Sequence, residues 1–413
     1  MHSLFLPLLT GAALLPFSLA QSLDANAIVQ ALTGAGLNQL AQAAASVNST
    51  PTGQVLFSTL LSGQNVTVFA PTDAAFSNAS SRLANAQPED IANVLAYHVL
   101  VGNFSSPSTA NTIISSESPN VTIARTLLND SDLVELEGNK SQVLAWTREN
   151  NAVRFLNQNA TTTVQNVTHV STITIAVIDQ VLAPPGEISE VVGSSSNLST
   201  LAGVLRTEIP SGNGNISLID FVESQRGVTI FAPDNAAFGA INSSLASLAS
   251  NVTALSILIG NHIINGTTVY SPSIFNGTVL TSSQGENLTF TTNSSGAYVS
   301  SAQSTAKIVQ TDILVENGVV HVINGVLLNT ERDEGAAQSA FESATSAAAQ
   351  STTETAPLAT ATSPNGGTGS GSGSGSGSGD GGSGNGNGAT TLSLEVTKMM
   401  VVGVVVGLGG VLF

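Results

Sequence analysis

The chain contains no cysteine, so disulfides, thiol nucleophiles and cysteine-ligated zinc sites are all excluded. Positive charge is nearly as scarce: ten Lys and Arg stand against 27 Asp and Glu in 413 residues, a net charge of −17. With no basic run to neutralise phosphates, nucleic acid is excluded as a partner. Charged residues make up only 9% of the chain, so the surface must be hydrated by something other than ionised side chains. Metal-binding His-x-x-x-His and His-Glu-x-x-His spacings, a Gly-x-Ser-x-Gly elbow and a Walker loop are also missing. No cofactor and no metal is therefore expected, and an enzyme is not the expected class.

What the chain does have is a repeat. Thr67 to Phe76 reads TVFAPTDAAF, and Thr229 to Phe238 reads TIFAPDNAAF. In each copy a β-branched and aromatic run, with Phe69 or Phe231 at its end, predicts a buried strand. Ala-Pro stops it. Thr72 and Asp234 then stand where a helix N-cap is needed, and both offer a side-chain oxygen to a free first-turn N–H. Phe76 and Phe238, four places on, are expected to bury an apolar face at the start of that helix.

This stretch resembles the first signature of the fasciclin domain, an extracellular adhesion module. A second signature follows the next helix, as Ala96-Tyr97-His98-Val99 and as Gly260-Asn261-His262-Ile263. A third closes the domain, in full as Asn317 to Leu328 with His321, whereas the first copy has Ala176 at the histidine position. The resemblance implies two tandem fasciclin-type domains of α+β class, each a helical N-terminal part packed on a twisted β-sandwich or wedge. The order of elements implies α+β as well, since helices come first and strands later.

In the first copy, helices are expected from Ser22, over Leu37 to Val47, over Val55 to Leu61 and over Pro88 to Leu100. Strands are expected at Val121 to Ala124, Leu133 to Leu136, Val143 to Thr147, Val153 to Leu156 and Ile173 to Ile178. The second copy repeats the plan, with helices at Glu187 to Val192, Leu198 to Ile209, Leu218 to Ser224 and Thr253 to Ile264. Asn317-Gly318 is expected to turn a hairpin through positive φ, with Val319 to Ile323 returning into the core.

Outside the repeats the composition changes. Residues 1–20 carry an apolar core ending in Ser18-Leu19-Ala20, the pattern of a secretory signal peptide. The domains are then placed at 21–184 and 187–330. Residues 331–390, rich in Ser, Thr, Ala and Gly, are expected to form a disordered stalk. Residues 391–413 end in an apolar run from Met399 that is too short for an ordinary span. After small residues at Asn387-Gly388-Ala389 it reads as a glycosylphosphatidylinositol attachment signal, with Asn387 the attachment residue.

Seventeen Asn-x-Ser/Thr sequons lie behind the signal peptide: Asn48, Asn65, Asn78, Asn103, Asn120, Asn129, Asn139, Asn159, Asn166, Asn197, Asn215, Asn242, Asn251, Asn265, Asn276, Asn287 and Asn293. Loop positions among them are expected to carry glycan; Asn65 and Asn251 are doubted because they abut core elements. His98, His262 and His321 are read as core histidines bonded to backbone groups. Asp312-Ile313 matches a pair that fasciclin adhesion proteins present to integrins, and is the candidate adhesive contact; the alternative is an inward-facing strand start. The leading expectation is a glycosylated, lipid-anchored protein at the outer membrane face or the wall, of fungal character. It would meet cell-surface proteins or wall and matrix glycans, and touch a membrane only through its anchor. The second is a structural wall glycoprotein acting through its glycans, and the third a glycan-active enzyme.

Overall fold

The computed structural model describes residues 25–104, 121–149, 152–158, 161–211, 214–242, 248, 250–350 and 358. The expected signal peptide, most of the expected stalk, the expected anchor signal with Asn387, and the sequons Asn120 and Asn159 lie outside the described residues.

The first domain opens with helices α1 (Ala25–Gly34), α2 (Asn38–Val47) and α3 (Pro51–Leu61). Helix α3 begins four residues before the expected Val55, because Thr50 is its N-cap and Pro51 its first residue. The Thr50 hydroxyl accepts from the Gly53 N–H at 3.0 Å, and proline gives up no hydrogen bond there. Strand β1 (Val66–Pro71), helices α4 (Asp73–Asn78), α5 (Ser80–Leu83) and α6 (Pro88–Tyr97), and strand β2 (Val99–Val101) follow. The expected helix to Leu100 therefore stops at Tyr97: Val99–Val101 pairs antiparallel with β1, and strand pairing outweighs continued helix. Strands β3 (Val121–Arg125), β4 (Val143–Glu149), β5 (Ala152–Phe155), β6 (Val164–Val170) and β7 (Ile173–Ile178) complete the domain. Strand β6, unforeseen in the sequence, is largely exposed and polar, so it has no apolar alternation to announce it.

The second domain runs through α7 (Ile188–Ser194), α8 (Ser199–Leu205), β8 (Glu208–Ser211), β9 (Gly214–Ser217) and α9 (Leu218–Glu223). It continues with β10 (Val228–Pro233), α10 (Asn235–Ala240), α11 (Val252–Gly260) and β11 (Ile263–Asn265). It ends with β12 (Val279–Thr281), β13 (Asn287–Asn293), β14 (Gly296–Ser301), β15 (Ser304–Val315) and β16 (Gly318–Ile323). Two expected helices are again shortened by strands, since Glu208–Ser211 pairs with β9 and Ile263–Asn265 with β10. The hairpin at Asn317-Gly318 forms without positive φ at either residue. Asn317 instead donates its side-chain amide to the carbonyls of Val222 and Gln225, both at 2.9 Å. A Cβ at Gly318 would overlap the Val228 carbonyl oxygen.

In both domains the strand carrying the first signature lies parallel to the closing strand, Phe69 opposite Ala176 and Phe231 opposite His321. Each such pair is covered by helices on one face and by further strands on the other. The two signature phenylalanines divide between these layers. Phe76 and Phe238 join the helical cores, while Phe69 and Phe231 point into the wedge between the sheets. In the first domain the sheets β2-β1-β7-β6 and β3-β4-β5 are separate, and among the described residues the isolated backbone bridges Leu100–Thr126 and Arg154–Thr163 lie beside them. In the second, the 12-residue β15 bends at two register shifts and carries one seven-stranded sheet round the wedge.

The two domains share a core. On β3 and β4, Ala124, Leu144 and Trp146 face their own wedge, while Val121, Ile123, Val143 and Ala145 alternate outward onto Tyr270, Leu314 and Val319 of the second domain. Gln142, fully buried, donates its amide to the Val315 carbonyl at 3.2 Å. The expected strand Leu133 to Leu136 is not a strand, because its backbone is used across this seam. Glu135 N–H donates to the Glu316 carbonyl at 3.0 Å, and the Glu135 carbonyl accepts from Gly227 at 3.1 Å.

The stalk expectation also changes. Residues Glu334–Ala349 form helix α12, with the Asp333 carboxylate accepting from Ala336 N–H at 2.9 Å as N-cap. Alanine-rich sequence behind an Asp cap is strong helix-forming sequence. The helix lies along three glycines with positive φ: Gly285 under Asp333, Gly266 under Phe341 and Ala344, and Gly138 of the first domain under Ala348. Beyond it, Leu358 N–H donates to the Ile123 carbonyl at 2.9 Å.

Candidate functional site

The caps read from the sequence are in place. Thr72 accepts from Ala75 N–H at 3.1 Å and Asp234 from Ala237 N–H at 2.7 Å. The next residue in each copy reaches back to an earlier helix: Asp73 accepts from Gln39 N–H at 2.8 Å, and Asn235 from Thr200 N–H at 2.9 Å. That backbone bond is the main cause holding the Asp73 carboxyl below its usual range.

His98 stands at the end of α6. Its Nδ1 donates to the Val94 carbonyl at 2.7 Å, and its Nε2 accepts from Leu182 N–H at 2.9 Å. His262 does the same with the Leu258 carbonyl at 2.8 Å and Leu327 N–H at 2.9 Å. One donating and one accepting nitrogen define a neutral ring, and burial pushes both histidines down to about 4. Each ring ties the end of a helix to the segment that closes its domain.

His321 belongs to a different set. It stacks on Phe231 with ring centroids 5.6 Å apart, donates from Nε2 to the Val269 carbonyl at 2.8 Å and accepts from Asp312 N–H at 3.3 Å. Burial holds it below its ordinary value, and Asp312 opposes that. In the first domain the space across from Phe69 and Ala176 is taken by rings, Phe155 at 4.8 Å and Trp146 at 5.9 Å. Aromatic volume replaces the histidine.

Asp312 lies at the second register shift of β15 with φ +58°, and it is fully buried. Its Oδ1 accepts from Ser271 N–H at 2.8 Å, and its main-chain carbonyl accepts from Asn157 of the first domain at 2.7 Å. Ile313 packs half-buried against the helical core. The reading of Asp312-Ile313 as an exposed adhesive pair is thus corrected: the aspartate is an internal brace at the domain seam, and no atom of its carboxylate is offered to a partner in this conformation. Among the described residues, no three His, Asp or Glu side chains converge as metal ligands. No helix among them is long and apolar enough to cross a membrane.

The sequons lie on the outside. Of the fifteen sequon asparagines described, fourteen are exposed, Asn65 and Asn251 included. Asn251 caps α11 through Oδ1, accepting from Ala254 N–H at 3.1 Å, which leaves Nδ2, the glycan-bearing atom, outside the bond. The position with restricted access is Asn265, half-buried and donating Nδ2 to Gln225 at 3.1 Å. Exposed edge strand β6 carries Asn166.

Two signature-bearing wedges in tandem can be set against known proteins. The fasciclin domain model matches residues 35–184 and 196–329. The chain belongs to the fasciclin domain family. Its two matches begin just after α1 and just after α7, although both helices bury residues in the cores of their domains. A fasciclin-like arabinogalactan protein of Arthroderma benhamiae is 27% identical over 203 residues, which are 49% of this chain and 44% of that protein. The match thus spans less than half the length of this relative. The solved FAS1 domain pair from the insect cell adhesion molecule fasciclin I covers 71% of this chain and 98% of its own, at 15% identity and a TM-score of 0.33.

Proposed function

We propose that this fasciclin protein is secreted, N-glycosylated and lipid-anchored at the cell surface, where its domain pair mediates adhesion to other cells or to wall and matrix. The observation that carries this reading is the exposure of fourteen of fifteen described sequon asparagines on a chain with 9% charged residues. Glycans supply the hydration that charge does not, and they form the outermost layer any partner meets. A relative carrying the name fasciclin-like arabinogalactan protein supports the same class. Burial of Asp312 favours contact through glycans over contact through that strand.

The test is adhesion of cells displaying the full chain, before and after enzymatic removal of N-glycans, with folding followed by thermal unfolding. Adhesion lost while the fold persists supports the glycan contact. Adhesion unchanged moves the contact to a protein face. Release from intact cells by a phosphatidylinositol-specific phospholipase tests the anchor, and retention after that treatment refutes it.

A further inference from the structure

A groove of about 940 Å³ opens between the two domains and helix α12. Its walls come from three separate parts of the chain. The first domain contributes the turn around Gly138 to Ser141, the second Ser224 to Arg226, and α12 the side of the helix with Phe341 and Thr345. Three of the chain's ten cationic side chains, Arg125, Lys140 and Arg226, line it together with hydroxyl and amide groups.

The sequon Asn139-Lys140-Ser141 lies wholly on this wall. Asn139 is exposed, with φ +53°. Arg226 of the second domain donates to its Oδ1 at 3.2 Å, so the side chain is held through the atom that does not carry sugar. Next to it Lys140 pairs with Glu137 at 3.1 Å, and Thr268 of the second domain donates to the same carboxylate at 2.7 Å. The floor at the glycan's attachment point is therefore fixed by bonds from both domains.

We propose that the N-linked glycan of Asn139 is seated in this groove and bridges the first domain, the second domain and α12. The proposal rests on the glycoprotein reading above and gives one of its glycans a structural place. A saccharide presents many hydroxyls needing partners, along with small apolar C–H faces. The groove answers with donors and acceptors on its walls and with Phe341 on one side. Its volume is near the top of the roughly 300 to 1,000 Å³ range of small-molecule sites, room for several sugar rings. Tethering settles which saccharide occupies it. A group attached at the wall has an effective concentration on the order of millimolar, which a free saccharide would have to exceed.

The test uses the full chain made in a glycosylating host. Glycopeptide mapping gives occupancy, and endoglycosidase digestion of the native protein gives the release rate at each site. The expected result is an occupied Asn139 whose glycan is released at least tenfold more slowly than those of Asn48, Asn166 and Asn293, and at the common rate after unfolding. Ser141→Ala, which removes the sequon but keeps Asn139 and its bond to Arg226, should increase amide exchange across residues 334–349. Asn139→Gln should do the same. An unoccupied Asn139 beside occupied neighbours, equal release rates, or unchanged exchange in Ser141→Ala each overturn the proposal alone. Absence of glycan from every sequon overturns the glycoprotein reading and this proposal with it.

Discussion

The main-chain carbonyl of Ala348 stands where a side chain on Gly138 would be, so the last turn of α12 rests directly on the backbone of the first domain. Gly138 also holds φ at +65°, a value that L side chains rarely adopt. Gly138→Ala should therefore lift the end of the helix as well as strain the turn. We expect faster proteolysis near residue 350 and a loss of roughly 1 to 3 kcal/mol in thermal unfolding. Unchanged proteolysis would mean that α12 does not depend on this seat.

Phe231→Ala removes a ring that is fully buried between His321 and Phe290. Phe69→Ala empties the centre of the Trp146–Phe155 cluster. Each should cost roughly 3 to 5 kcal/mol through the cavity left behind, measured by denaturant unfolding. A cost under about 1 kcal/mol would contradict the placement of these strands.

Acid should weaken the fold through its neutral histidines. His98 and His262 titrate near 6.5 when unfolded and about 4 when folded, so their stabilisation is complete above 6.5 and is lost as pH falls towards 4. Each shift corresponds to roughly 3 kcal/mol at the acid limit. His321 acts in the same direction. Glu316 acts oppositely, because burial and then Glu135 raise its carboxyl. The slope of Tm between pH 7 and pH 4 should thus be shallower in His262→Gln than in the parent chain, and an identical slope would refute the assignment.

Gln142→Leu should leave the Val315 carbonyl without its buried donor, at a cost of roughly 1 to 3 kcal/mol. Because that bond crosses the seam, amide exchange should rise on both sides of it, in β4 and at Glu316. A rise confined to the first domain would locate the effect in β4 alone.

A small cavity of about 60 Å³ remains in the helical core of the first domain, lined only by apolar surface and bordered by Val68 and Val170. Val68→Ile adds one methylene there. It should raise stability by about 0.8 kcal/mol, seen as a higher Tm. A lower Tm would mean that the space cannot accept the added carbon.

The repeat made much of each domain legible: strand, cap, helix and second phenylalanine follow from ten residues, and the histidines lie where an apolar run predicts a bonded core group. Helix ends were less legible. Val99–Val101 and Ile263–Asn265 suit helix and strand equally by composition, and only pairing with β1 and β10 decides. Two helix starts had readable signals, Thr50-Pro51 and Asp333 before alanine-rich sequence, but one preceded weak periodicity and the other lay in low-complexity sequence. The seam was hidden for a physical reason. Val121 and Ile123 look like any strand's second face until the partner domain is present, and Glu135, Glu137 and Gln142 each bond across the seam to groups far along the chain.

Helix α12 decides how tension enters the molecule. A pull on the chain beyond Gln350 reaches a helix laid across both domains, over Gly285, Gly266 and Gly138 in turn. Its contacts fall on both domains, so a load arriving there would be shared between the two wedges. Lifting the helix off either domain would leave the cores of both wedges closed, because none of its residues is buried and none belongs to those cores.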